Sequence, residues 1–164
     1  MPDSSQPITA KSVTFSFREA RSSDLTEIVR MLANDTLGAG REQFTEPLHA
    51  GYLQAFASIE NDRNNQILLA VDAEDRILGF LQLTYIPNLT YQGSWRAQIE
   101  GVRVNENFRS SGIGKAIIEY ALHCARARGC YLAQLTSDKS RTDALRFYES
   151  LGFKASHEGF KRML

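Results

Sequence analysis

The 164-residue sequence has no charge of prevailing sign: 19 Lys and Arg balance 19 Asp and Glu. That balance removes the electrostatic footprint of a protein whose main partner is DNA or RNA. No apolar run approaches the ~18 residues that suggest a membrane span. The start, MPDSSQPITAKS, has no basic segment followed by an apolar one and does not read as a secretory signal. These absences give the expectation of a cytoplasmic protein with neither a nucleic-acid nor a membrane partner. Cysteine is scarce. Cys124 and Cys130 lie in or beside a helical pattern without metal-ligand spacing, and His49, His123 and His157 are scattered. The thiols therefore read as idle rather than as a disulfide or zinc site, and no metal is expected. Internal repeats and low-complexity segments are also missing.

What is present suits one domain with a full hydrophobic core. Residues 1–12 read as a flexible N-terminal tail and residues 13–164 as a single domain. VTFSF, Val13 to Phe17, alternates as a strand. A first helix follows in SSDLTEIVRMLAND, and a second in TEPLHAGYLQAFASIEND, with a threonine cap and a proline shortly inside. QILLAVD and RILGFLQLTYI flank the polar turn AED and predict a hairpin, and WRAQIEGVRV is the next strand. In regular pairing Gln98, Glu100, Val102 and Val104 share one side of it. The helix GIGKAIIEYALHCARAR, the strand YLAQLT, a helix around TDALRFYESL ending at Gly152, and a last pair of strands complete the chain. This order predicts a mixed α/β (α+β) domain. The strands at 95–104 and 131–136 should be joined by a β-α-β crossover and lie parallel.

The crossover opens with NENFRSSGIGKAIIEYA, residues 105–121, where two glycines sit at a strand-to-helix junction. Glycine lets backbone amides approach a ligand closely, and a helix start favours an anion. A phosphate loop of the form G-x-x-x-x-G-K-[ST] is excluded, because Arg109 and Ala116 stand where Gly and Ser/Thr are required. A dinucleotide fingerprint would need glycine at Ile117. What remains is a pyrophosphate cradle, R-x-x-G-x-G, from Arg109, Gly112 and Gly114. On these residues alone a simple tight turn is the competing reading.

Residues 98–153, from QIEGVRV through RSSGIG to ALRFYESLGF, resemble the GNAT superfamily of acyl-CoA-dependent N-acetyltransferases in order and spacing. The ending is similar to that of small bacterial members and, more remotely, to aminoalkylphosphonate acetyltransferases. The resemblance implies a GNAT fold: a central, mostly antiparallel sheet with a splayed parallel pair, flanked by about four helices. It implies an enzyme that uses acetyl-CoA, without a metal, to acetylate a primary amine by direct transfer in a ternary complex. The backbone of Val102, Arg103 and Val104 would pair with the pantetheine arm, and Ser110, Ser111, Gly112, Ile113, Gly114 and Lys115 would hold the pyrophosphate. Arg109 and Arg141 would add charge, with simple exposure to solvent as the alternative for each; the family often has asparagine where Arg141 stands.

Tyr148 matches the family tyrosine that protonates the leaving thiolate, although its spacing also fits an aromatic core position. Glu100, two residues before the expected oxyanion N–H of Val102, is the candidate base, with substrate binding or a structural role as alternatives. Other family base positions hold Gln98 and Thr136 here, and neither is a base. The acceptor would be a small polar amine. Tyr85, Tyr91 and Trp95 would wall its pocket, and Arg41 or Glu46 would read its charge; the same aromatics fit sheet packing or a homodimer interface. Acetylation of proteins or peptides, or non-catalytic binding of acyl-CoA by a regulatory module, are the rival functions.

Overall fold

The computed structural model describes residues 7–10, 13–34, 40 and 42–164. Its elements are β1 (Ile8–Ala10), β2 (Val13–Glu19), α1 (Leu25–Ala33), α2 (Ala50–Glu60), β3 (Asn65–Val71) and β4 (Ile77–Pro87). They continue as the helical turn α3 (Thr90–Gly93), β5 (Trp95–Val104), α4 (Ile113–Ala127), β6 (Cys130–Leu135) and α5 (Thr142–Ser150). The strands form one six-stranded sheet in the order β1-β2-β3-β4-β5-β6. Every neighbouring pair is antiparallel except β5 and β6, which the α4 crossover makes parallel.

The sheet is buried on both faces, which is why β3 reads as the unbroken apolar run ILLAV rather than as an alternation. Odd and even positions of β3 enter different cores. Leu68 and Ala70 join Leu81, Leu83 and Ile99 under Ile113, Ile117, Ile118 and Ala121 of α4. Leu69 and Val71 join Phe80 under Leu25, Ile28 and Val29 of α1 and Phe56 of α2. The helices supply these residues at spacings of three and four, so each presents one apolar stripe to its face of the sheet.

Close approach between β4, β5 and α4 depends on Gly79. A Cβ there would stand 2.9 Å from the Arg103 carbonyl oxygen and 3.2 Å from Ile113 Cγ2. The first neighbour is backbone and cannot rotate away. Gly79→Ala is therefore expected to cost about 2 kcal/mol, the order of an overpacked core. Calorimetry should show a melting temperature lower by about 5 °C; an unchanged value would mean that β4 and β5 part without cost.

Three expectations change. Within the supposed tail, Ile8–Ala10 pair antiparallel with Val13–Phe15 and extend the sheet. The second helix is not capped by Thr45, whose hydroxyl donates to the Pro47 carbonyl at 2.9 Å; it starts at Ala50, with His49 Nδ1 accepting from the Gly51 amide at 3.1 Å. Finally, no strand forms in residues 153–164. Phe160, Met163 and Leu164 of this segment face solvent. The segment is instead tied near β6 by Lys139 and Glu158 at 2.7 Å. Arg41 lies outside the described residues.

Candidate active site

Pairing between β5 and β6 runs from Trp95–Cys130 to Ile99–Leu135. Beyond that point β6 ends while β5 continues to Val104, so a gap opens along the last residues of β5. On its other edge β5 stays paired to β4, but with a shift in register: Glu100 is opposite Gln82 and Arg103 is opposite Phe80. Gly101 and Val102 thus face Leu81 alone, a β-bulge, and Gly101 takes the left-handed φ of +62° that the extra residue requires.

The bulge overturns the expected arrangement of side chains. Opposed residues share a face, so Glu100 and Arg103 lie with Gln82 and Phe80 on the α1 face, whereas Val102 and Val104 pack toward the α4 core. Glu100 and the two valines do not share a side. A glycine inside a strand pattern was the available signal.

The same bend sets the backbone. The Asn105 amide donates to the Leu78 carbonyl at 2.9 Å. Because strand residues alternate their polar groups between edges, Arg103 also directs its N–H and C=O to β4, and Val102 and Val104 direct theirs into the gap. Of the three residues expected along a cofactor arm, the two valines present backbone groups to it. Arg103 presents only its side chain, whose Nη1 donates to the Val102 carbonyl at 2.8 Å.

After Val104 the chain makes a 3-10 turn, Glu106–Phe108, started by Asn105 Oδ1 accepting from the Asn107 amide at 3.1 Å. Ser110 and Gly112 both adopt left-handed conformations, with φ of +60° and +95°. The Gly112 carbonyl accepts from the Ala116 amide at 3.0 Å, so the amides of Ile113, Gly114 and Lys115 begin the helix without intrahelical acceptors. That is the geometry of an anion cradle. Gly114 faces Val104 Cγ2 and Phe147 Cζ, 3.4 and 3.6 Å from where a Cβ would sit, which leaves little space for a larger residue. The Ser111 hydroxyl is committed to the Phe108 carbonyl, and exposed Lys115 is 3.7 Å from Glu119. Arg109 lines a cavity of about 200 Å³ together with Arg30, Asn34 and Asn105.

Tyr148 projects from α5 and is half-buried, with its ring 5.3 Å from that of Phe147 and 6.0 Å from that of Phe153. Burial pushes its phenol above the ordinary value, and the charges of Arg141 and Arg103 partly oppose the shift. Val104 of β5 and Phe147 of α5 both stand against Gly114, so β5 and α5 converge at the start of α4. Arg141 occupies the position before α5, its amide donating to the Asp138 carbonyl at 3.0 Å. Asp138 in turn accepts from the Ser140 amide at 2.9 Å and so serves as a turn residue.

Other expected residues are elsewhere. Tyr85 is a core residue whose hydroxyl accepts from Gln66 Nε2 at 2.7 Å. Trp95 packs against the same core beneath the Arg128 guanidinium, and Tyr91 stacks on Tyr131. Trp95 precedes Glu100 by five residues, about 17 Å at ~3.3 Å per residue, so these aromatics do not wall the gap. Glu46 is 3.7 Å from Arg30. Gln98 accepts from Gln134 Nε2 at 2.7 Å across the parallel pair. Burial raises both cysteine thiols above their ordinary value, which makes them poor nucleophiles. Among the described residues, no group of three or more His, Cys, Asp or Glu forms a candidate metal site, and no helix is long and apolar enough to cross a membrane.

A six-stranded mixed sheet that splays at a parallel pair, with a left-handed turn leading into the crossover helix, defines the fold class to which the sequence pointed. The Acetyltransferase (GNAT) family pattern matches residues 33–153, and the chain belongs to that family. It is 39% identical over 88 residues to a glucosamine 6-phosphate N-acetyltransferase from Trypanosoma brucei brucei, a match spanning 54% of this chain and 57% of that protein. To an aminoalkylphosphonate N-acetyltransferase from Salmonella typhimurium it is 28% identical, over 71% of this chain and 74% of the relative. Among solved structures, a protein described as a transcriptional regulator from Bacillus halodurans is 52% identical, with a TM-score of 0.88 over 92% of this chain and 99% of the other.

Proposed function

We propose that the chain is an acetyl-CoA-dependent N-acetyltransferase acting on the primary amine of a small polar molecule, by direct transfer in a ternary complex. The carrying observation is the gap beside β5, where the backbone groups of Val102 and Val104 face outward and a left-handed turn ends in free helix amides. An extended amide-containing arm adds to such an edge as a further strand, and a diphosphate suits the turn. Acetyl-CoA supplies the activated acetyl group. The Val102 N–H faces the gap and is placed to polarise a carbonyl there. Glu100, exposed on the α1 face, is the base that takes the proton of an acceptor ammonium, and Tyr148 at the mouth is the acid for the leaving thiolate. The small-amine acceptors named for the trypanosomal and Salmonella relatives support the substrate class.

The regulator described from Bacillus halodurans supports a second reading, an acyl-CoA-binding module without turnover. Glu100 and Tyr148 near the gap favour catalysis. A thiol-release assay with acetyl-CoA and a broad amine panel, with peptides included, separates the readings. Release matched by N-acetylated small amine is the expected result. Peptide acetylation alone would move the acceptor class, and binding without turnover on any amine would favour the regulator. In a parallel melting experiment, acetyl-CoA at a hundredfold excess over its Kd should stabilise the protein by about 2.7 kcal/mol. A shift with ATP alone would mean that the turn has been misassigned.

A further inference from the structure

The side chain of Arg103 does not follow its own backbone. Its N–H and C=O are directed to β4, where it stands opposite Phe80. Its guanidinium turns along the strand instead, and Nη1 reaches the Val102 carbonyl at 2.8 Å. That carbonyl, by the alternation fixed through Asn105 and Leu78, faces the gap between β5 and β6. A pantetheine arm paired with β5 needs acceptors of this kind for its amide N–H groups. The guanidinium therefore stands on a backbone acceptor that the arm would use.

We propose that Arg103 is a displaceable plug: without ligand its guanidinium occupies the Val102 carbonyl, and a CoA-type ligand binds by taking that acceptor from it. The inference rests on the assignment of the gap to acetyl-CoA. Arginine suits the task because its long apolar stem can lie along the strand in more than one direction while its fork of donors remains hydrated after release. Its charge also partly opposes the upward push that burial gives the Tyr148 phenol. The alternative is a contact that merely steadies the bulge. Steadying and plugging have opposite consequences for affinity.

Calorimetric titration of CoA and of acetyl-CoA into the wild type and Arg103→Met separates them. A plug lowers affinity, so removing its donors should reduce both dissociation constants by about three- to tenfold, the scale of one partly solvated charged hydrogen bond. The two ligands share the arm and should shift by the same factor. Arg103→Lys keeps the charge and stem but loses the fork, and should fall between wild type and Arg103→Met; it serves as the test if Arg103→Met fails to fold. Unchanged or weaker binding by native-like variants, with the wild type binding normally, overturns the plug alone. A wild type that binds neither ligand overturns the assignment of the gap and the plug with it.

Discussion

Tyr148→Phe is expected to slow acetyl transfer by about 10²-fold, within the usual range for a positioned proton donor, while acetyl-CoA affinity changes little. The phenylalanine ring preserves the packing against Phe147 and Phe153, so the substitution removes the hydroxyl and almost nothing else. Burial raises the phenol above its ordinary value of about 10. A raised acid stays protonated to higher pH, and the deficit should therefore persist from pH 7 to 9.5. Product release can mask part of it in steady state, because a CoA thiol with a pKa near about 8.5 is a fairly good leaving group. Single-turnover rates avoid that masking. A variant that transfers the acetyl group as fast as the wild type would make Tyr148 a core residue only.

Glu100→Gln should behave differently with pH. Near neutrality the acceptor amine is protonated and needs a base, and the loss is expected to reach about 10²-fold. Raising the pH supplies free amine, so the deficit should shrink to less than about tenfold by pH 9.5. A deficit constant across that range would assign Glu100 to binding or structure. Tyr148 and Glu100 thus make a paired test, one deficit flat with pH and the other closing.

Much of this was legible in the sequence because punctuation and apolar spacing agree there. The β3–β4 hairpin, β5, the glycine turn and α4 fall where the runs QILLAVD, RILGFLQLTYI and WRAQIEGVRV and the motif RSSGIG place them. Side-chain facing within β5 was not legible, since a single left-handed Gly101 inverts the alternation for every residue after it. The pocket aromatics went astray for a related reason. Tyr85, Tyr91 and Trp95 are near the site in chain order, but β5 carries them to the far end of the sheet. Gly79 gave no motif at all; its importance lies in the Arg103 carbonyl and Ile113 side chain that fold against it. Arg103 was expected to act through its backbone; the bulge turns that backbone toward β4, and the side chain instead donates to the Val102 carbonyl.

The central claim is that a cofactor arm adds to the open edge of β5, and residue-resolved amide exchange with and without acetyl-CoA tests it most directly. Strand alternation makes the expected result specific. The Val102 and Val104 amides, which face the gap, should become protected on binding, together with those of Ile113, Gly114 and Lys115 at the helix start. The Asn105 amide, already bonded to Leu78, should be slow in both states, as should that of Arg103. Binding that protects none of Val102, Val104 and the helix-start amides would contradict the assignment of acetyl-CoA to this gap.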